Sequence, residues 1–213
     1  MNAIRLEPSQ KEHAARVWAR SFFDYPLMTF CRPDARGRAR CLERCFGWTI
    51  SYGLRYGEVY TTADLAGLAI WLPPGRTRVA PWRCLMSGFP LIPSLVGLGP
   101  FFTQMARNER SAQRAHRETV PGPHWYLWAL AVDPDRQGQG IGTVLIRPGL
   151  EKADAACLPC YLETHNQKSI PFYAKHGFET AGTEQVPGTD MRFWYFVRKP
   201  CVHGGKETGE HRE

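Results

Sequence analysis

The chain has 213 residues, is 43% hydrophobic and carries a formal net charge of +7. That length and composition can bury a full core and favour one domain with elaborations over two. No stretch reaches the roughly 18 consecutive apolar residues that a bilayer span requires, and Met1 to Pro8 hold too few for a signal peptide. A soluble, cytoplasmic protein without membrane partners is expected. Its seven cysteines, an odd number in a chain that needs no staples, are expected to be reduced thiols. The charge suits nucleic acid, an anionic surface or a polyanionic small molecule equally.

In chain order, the first predicted element is a strand over residues 4–7. A helix N-capped by Ser9 follows, with Ala14, Val17, Trp18 and Phe22 on one apolar side. Residues 34–56 repeat apolar side chains at helical spacing (Cys41, Leu42, Cys45, Phe46, Thr49, Ile50) and end near Gly57. Two strands, 58–62 and 67–72, flank a short connection containing Asp64, which predicts a hairpin. Pro73, Pro74 and Gly75 stop the second strand. Residues 82–102 are apolar but broken by Gly88, Pro90, Pro93, Gly97, Gly99 and Pro100, which excludes one long helix. They read equally as a short-helix lid over a site or as a peripheral subcore.

A helix over 103–119 places Arg107, Arg110, Arg114 and Arg117 on one face, either simply solvated or attractive to an anionic ligand. Residues 124–132 are aromatic and β-branched, the pattern of a central strand covered on both faces. Beyond them come a loop, a helix over 141–156, a strand over 160–163 and a helix over 169–176. Two antiparallel strands, 178–185 and 192–198, complete the order. The result is an α+β fold around a mixed sheet, with a flexible tail over 200–213 that lacks apolar content.

Between the strand ending at Val132 and the helix starting at Ile141, Gly138, Gly140 and Gly142 form a loop suited to an anion. Main-chain N–H groups at a helix N-terminus lack partners, the dipole favours negative charge, and glycines remove side chains that would hold a phosphate away. Arg136 stands at the rim. A P-loop fails for want of its lysine. A dinucleotide loop is nearer, with Glu163 placed 20 residues beyond Thr143, but Thr143 occupies the third glycine's position and Asp133 to Gln137 separate strand from glycines.

The run Gln137, Gly138, Gln139, Gly140, Ile141, Gly142 matches the Gln/Arg-x-x-Gly-x-Gly/Ala signature of the GNAT N-acetyltransferases. Downstream, Asn166, Ser169, Phe172, Tyr173, Gly177 and Phe178 resemble that family's second motif. A likeness to the family's antibiotic-modifying members extends further, through Phe23, Asp24, Tyr25 and Pro26, through Leu162, Glu163 and Thr164, and through Arg198, Lys199 and Pro200.

The resemblance implies the GNAT fold, with a mixed, mostly antiparallel central sheet flanked by helices. It implies one domain over 1–199, an acceptor-side helical insertion at about 74–120, and acetyl-CoA as cosubstrate. Leu130, Ala131, Val132, Gln137, Gly138, Gln139, Gly140, Ile141, Gly142, Thr143, Asn166, Phe172 and Tyr173 would then bind the cofactor. An amine near pKa 10.4 must lose a proton before it attacks a thioester. Glu163 is the candidate base, or equally a strand-end carboxylate that caps the surface; Tyr173 would protonate the departing thiolate, or merely pack. A main-chain N–H of Ala131 or Val132 would hold the oxyanion. Asp24, Tyr25, Trp82 and Phe101 are acceptor-side candidates.

Other constellations carry less. Cys157 and Cys160 have Cys-x-x-Cys spacing but end a helix rather than open one, so buried free thiols are expected, and no metal. His165 is either a second proton acceptor or a loop histidine. The expected activity is acetyl transfer to a small-molecule amine by a monomer or homodimer, without nucleic acid. A peptide acetyltransferase, a non-catalytic coenzyme A sensor and a basic nucleic-acid-binding module remain the alternatives.

Overall fold

The structure, a computed structural model, describes residues 1–79, 81–87 and 99–201, without the side chains of residues 81, 85 and 99–102. One seven-stranded sheet runs in the order β1-β2-β3-β4-β5-β7-β6. Its strands are β1 (Ala3–Arg5), β2 (Glu58–Thr62), β3 (Gly67–Leu72), β4 (Trp125–Val132), β5 (Cys160–Thr164), β6 (Glu179–Gln185) and β7 (Arg192–Arg198). Neighbours are antiparallel except β4 and β5, which are parallel. The helices are α1 (Lys11–Ser21), α2 (Pro26–Cys31), α3 (Ala35–Tyr56), α4 (Pro81–Met86), α5 (Gly99–Thr119), α6 (Ile141–Ala155) and α7 (Ile170–Lys175).

Strand alternation divides the core between the two sheet faces. Leu68, Ile70, Ala129 and Ala131 meet Trp18, Leu42, Phe46 and Ile50 of α1 and α3. Ala69, Trp71, Leu127 and Leu162 meet Ile141, Leu145 and Ile146 of α6 on the other side. Every residue of β3 is buried, as a central strand covered on both faces requires. Asp34 caps α3 by accepting the Gly37 N–H at 2.9 Å. At Gly149 of α6 a Cβ would stand 2.1 Å from the Trp71 indole, so only glycine lets this helix lie so close to β3.

Several expected boundaries move. The first strand is Ala3–Arg5, and Ser9 caps no helix. It sits inside a 3-10 turn, Pro8–Gln10, where Glu7 and Gln10 form a reciprocal capping box. Gly99 and Pro100 fall in the first turn of α5, where a missing N–H costs no intrahelical bond, so this helix begins before residue 103. The helix expected over 169–176 divides into a 3-10 turn, Gln167–Ser169, and α7. Phe178 N–H folds back to the Tyr173 carbonyl at 3.1 Å, which delays β6 to Glu179. Within the segment 82–102, α4 and the start of α5 are described, while residues 88–98 lie outside the described residues, as do 202–213 of the expected tail. Arg107, Arg110, Arg114 and Arg117 all lie exposed on α5, Arg114 pairing with Glu184 at 2.7 Å. Among the described residues no helix is long and apolar enough to cross a membrane.

Candidate functional site

The site begins with a failure of pairing. β4 and β5 are in register only at Trp125 with Cys160 and Tyr126 with Tyr161, although β4 runs on to Val132 and β5 to Thr164. Against β3, the register of β4 shifts between Ile70 and Trp71, leaving Trp128 without an opposite residue, and such a bulge bends the strand that carries it. Past Tyr126 the two parallel strands separate. The gap holds a cleft of about 180 Å³ whose walls include Tyr25, Leu130, Val132, Gln137, Asn166 and Tyr173.

Alternation decides which peptide groups face this gap. Asp133 N–H donates to the Ala66 carbonyl at 2.9 Å, so the peptide of Ala131 also points to β3, and those of Leu130 and Val132 point into the cleft. Of the two amides expected to hold an oxyanion, Val132's is therefore the one that faces the gap. The Val132 carbonyl accepts from Ser21 Oγ at 2.8 Å and Gln137 Nε2 at 3.3 Å, which ties α1 and the glycine loop to the cleft edge.

At the mouth of the cleft, Gly138 (φ 76) and Gly140 (φ 77) are left-handed, and a Cβ added to either would meet nothing within 4 Å. Gly140 is the N-cap of α6. Among the described residues, none accepts a hydrogen bond from the main-chain N–H groups of Gly138 to Thr143. Open space, free donors and a helix N-terminus suit a diphosphate. Arg20 holds the loop to α1 through Asp133 (3.2 Å) and Asp135 (2.5 Å). Arg136, expected to add charge at the rim, pairs with Asp64 of the β2–β3 hairpin at 2.9 Å and donates to Gln139 Oε1 at 3.1 Å. Gly142 faces the Phe172 ring, and a Cβ there would come to 3.2 Å from it, so Phe172 supports the loop from below.

Glu163 stands where β5 leaves β4. Its Oε1 accepts the Tyr126 hydroxyl at 2.5 Å, and its Oε2 is buried with no hydrogen-bond partner. Burial pushes its carboxyl up to about 8; the Tyr126 bond works against this and the Glu109 charge adds to it. Tyr173 is held in its phenol form, chiefly by burial and further by the Tyr25 and Glu163 charges. The Tyr25 hydroxyl accepts the His165 N–H at 2.7 Å and bonds Thr164 Oγ1 at 3.2 Å. His165 Nε2 bonds Asn108 Oδ1 at 2.7 Å, and burial takes the ring down to about 4, so it stays neutral. A second cavity, of about 400 Å³, opens on the α5 side, and Glu163 lies in the walls of both.

The fold thus brings Glu163, Tyr173, Tyr25, Leu130, Ala131, Val132, Gln137 and Asn166 to one cleft, with Gly138 to Thr143 at its mouth. Ile141, the first residue of α6, is itself buried in the core. Two acceptor-side candidates lie elsewhere. The Asp24 carboxylate is 84% exposed and pairs with Arg38 at 3.5 Å. Trp82 is 59% exposed, with its ring against Tyr56 and beneath Arg83, and it lines neither cavity. The ion pair with Arg38 of α3 holds the first, and the Tyr56 and Arg83 contacts hold the second. Phe101 lies on α5, but its side chain is outside the described residues.

Sequence reasoning missed Tyr126, concealed as one aromatic in a core strand, and Glu109, concealed among the arginines of α5. Cys157 is exposed and left-handed (φ 52), whereas Cys160 is buried with its thiol pushed up to about 12. Among the described residues all seven cysteines are free.

The strand order, the splay and the glycine loop define the GNAT acyltransferase fold. The sequence profile of the Acetyltransferase (GNAT) family matches residues 91–178. An uncharacterized N-acetyltransferase of Schizosaccharomyces pombe is 27% identical over 183 residues, 84% of this chain and 74% of that protein. A peptidyl-lysine N-acetyltransferase of Escherichia coli is 34% identical over 82 residues, 38% of this chain; the chain spans 52% of its length. Among solved structures, a histone acetyltransferase HPA2 and related acetyltransferase from Corynebacterium glutamicum superposes with a TM-score of 0.69 at 18% identity, covering 94% of this chain and 97% of that one. Arylalkylamine N-acetyltransferase 2 from Aedes aegypti superposes with a TM-score of 0.58 at 13% identity, covering 93% and 98%. These likenesses show the fold, and the profile match over residues 91–178 is to a family whose members use acetyl-CoA as cosubstrate.

Proposed function

We propose that this protein transfers the acetyl group of acetyl-CoA to an amine of a small molecule by direct attack in a ternary complex. The observation that carries the reading is Glu163, whose buried, unpartnered oxygen lies in the wall shared by cleft and cavity. When bound, acetyl-CoA supplies the thioester. The Gly138 to Thr143 amides would hold its diphosphate, and the edge of β4 would align its arm. Glu163 removes a proton from the acceptor ammonium, whose nitrogen then forms the new C–N bond as the C–S bond breaks. Val132 N–H donates to the carbonyl oxygen as it gains charge. Tyr173 returns a proton to the departing sulfur.

An acceptor of modest size is favoured by the volume of the cavity, about 400 Å³, within the usual range for small-molecule pockets. The likeness of residues 23–26, 162–164 and 198–200 to puromycin N-acetyltransferase favours a drug-like amine. A peptide lysine is the second reading, since the Escherichia coli relative bears the name peptidyl-lysine N-acetyltransferase. In this reading the protein works in the cytoplasm as a monomer or homodimer, without nucleic acid or membrane.

The test is thiol release from acetyl-CoA across aminonucleosides, aminoglycosides, polyamines and lysine peptides, with coenzyme A binding measured by calorimetry. Turnover of one small-molecule class is the expected result. Turnover of peptides alone would replace the acceptor assignment. Coenzyme A binding without turnover of any amine would leave a sensor.

A further inference from the structure

We infer that the larger cavity selects an acceptor with two basic nitrogens, Glu109 holding the one that does not react while Glu163 takes the proton of the one that does. The inference rests on the acetyl-transfer reading above and names its substrate class.

Glu109 and Glu163 line the same cavity, one from α5 and the other from β5. Each has only a neutral donor: Gln113 Nε2 reaches Glu109 Oε1 at 2.8 Å, and Tyr126 reaches Glu163 Oε1. Among the described residues neither forms an ion pair. Glu163 Oε2 is buried without a hydrogen bond, and the Tyr161 side chain, also neutral, favours the charged form of this carboxyl. Burial disfavours the ionised form of both carboxyls, and an ammonium brought beside each relieves that cost, so two in one cavity favour two cations.

The inner wall supplies none. His116 and His124 bond each other through their Nε2 atoms at 2.6 Å, and His124 Nδ1 meets the Gly122 carbonyl at 2.6 Å. Burial holds His116 down to about 3, with His124 and Arg78 adding to the effect, and burial also lowers His124. Both rings are therefore neutral at neutral pH. Arg78 and Arg117 also line the cavity but are exposed, and neither pairs with these carboxylates.

A monoamine would neutralise Glu163 and leave Glu109 unmatched; a second ammonium on the same molecule completes the pair. Both carboxyls line one cavity of about 400 Å³, which suits a short spacer between the two nitrogens. A third cation extending outward would meet Arg78 and Arg117, so short diamines are favoured over longer triamines.

The deciding experiment compares a series of terminal diamines with monoamines of equal length, in wild type and in Glu109→Gln. In wild type the KM of the best diamine should lie at least about tenfold below that of its monoamine. Glu109→Gln should erase that difference by raising the diamine KM and leaving the monoamine KM within about twofold. Glu109→Asp, which draws the carboxylate back, should keep the preference and move the optimum to a longer diamine.

Equal KM values for diamine and monoamine in wild type, an equal loss for both in Glu109→Gln, or an unmoved optimum in Glu109→Asp would overturn the inference. Calorimetry of the same amines without acetyl-CoA separates the two readings. Diamine-selective binding that Glu109→Gln abolishes supports this inference even if no amine is acetylated, whereas monoamine acetylation without diamine preference removes it and leaves acetyl transfer standing.

Discussion

Tyr126 belongs to the last rung at which β4 and β5 remain paired, and its hydroxyl donates to Glu163, two residues beyond the same rung on β5. The bond fixes one carboxylate oxygen at the apex of the splay and leaves the other buried without a hydrogen bond. One side chain thereby borders both the cleft proposed for the acyl donor and the cavity proposed for the acceptor.

Glu163→Gln keeps the shape and the Tyr126 contact but cannot accept the acceptor's proton. Its kcat should fall by about 10² to 10⁴, the usual contribution of a general base, with coenzyme A affinity nearly unchanged. Because the free carboxyl stands near 8, the wild-type rate should rise with pH through that value. The same inflection should be missing from the variant, as a pH series of initial rates would show.

Stability should respond in the opposite direction. The folded chain holds the Glu163 proton up to about 8, against 4.5 for an ordinary glutamate. Between those values the folded state carries more protons than the unfolded one, so this group's contribution falls as pH rises and is wholly lost above about 8. Relative to wild type, Glu163→Gln should gain on the order of 2 to 4 kcal/mol on moving from acidic pH to above 8. Urea melts at the two ends of the range measure this, and a gain that shrinks with rising pH would contradict it.

Gly140→Ala tests the loop. The left-handed backbone (φ 77) should cost about 1 to 2 kcal/mol with any Cβ present. The methyl would also enter the space proposed for a diphosphate, so coenzyme A affinity should fall at least about tenfold. Unchanged calorimetric affinity would remove the loop from the site.

The Tyr173 ring packs on Phe178 and Phe196, and phenylalanine preserves those contacts. Tyr173→Phe should therefore fold as wild type and bind coenzyme A within about twofold, while kcat drops by about tenfold or more. Wild-type turnover would take Tyr173 out of the proton path.

Gly149→Ala serves as a structural contrast. Its methyl would stand 2.1 Å from Trp71, and relief of that overlap should cost about 2 to 3 kcal/mol in a denaturant melt. Turnover per folded molecule should remain unchanged.

Periodicity and punctuation determined much of the fold. The β2–β3 hairpin, the helix after the glycine loop and β7 follow from local rules, because each is stabilised by residues near it in the chain. The loop's openness was legible for the same reason: glycines between strand and helix leave donors free whatever surrounds them. Only the tertiary structure decided the rest. Nothing local says that β4 and β5 part after Tyr126, that Glu109 and Glu163 share a cavity, or that Asp24 and Trp82 turn away from it. Those relations depend on strand pairing and on the orientation of α5 over the sheet, long-range choices to which one side chain's neighbours in sequence contribute little.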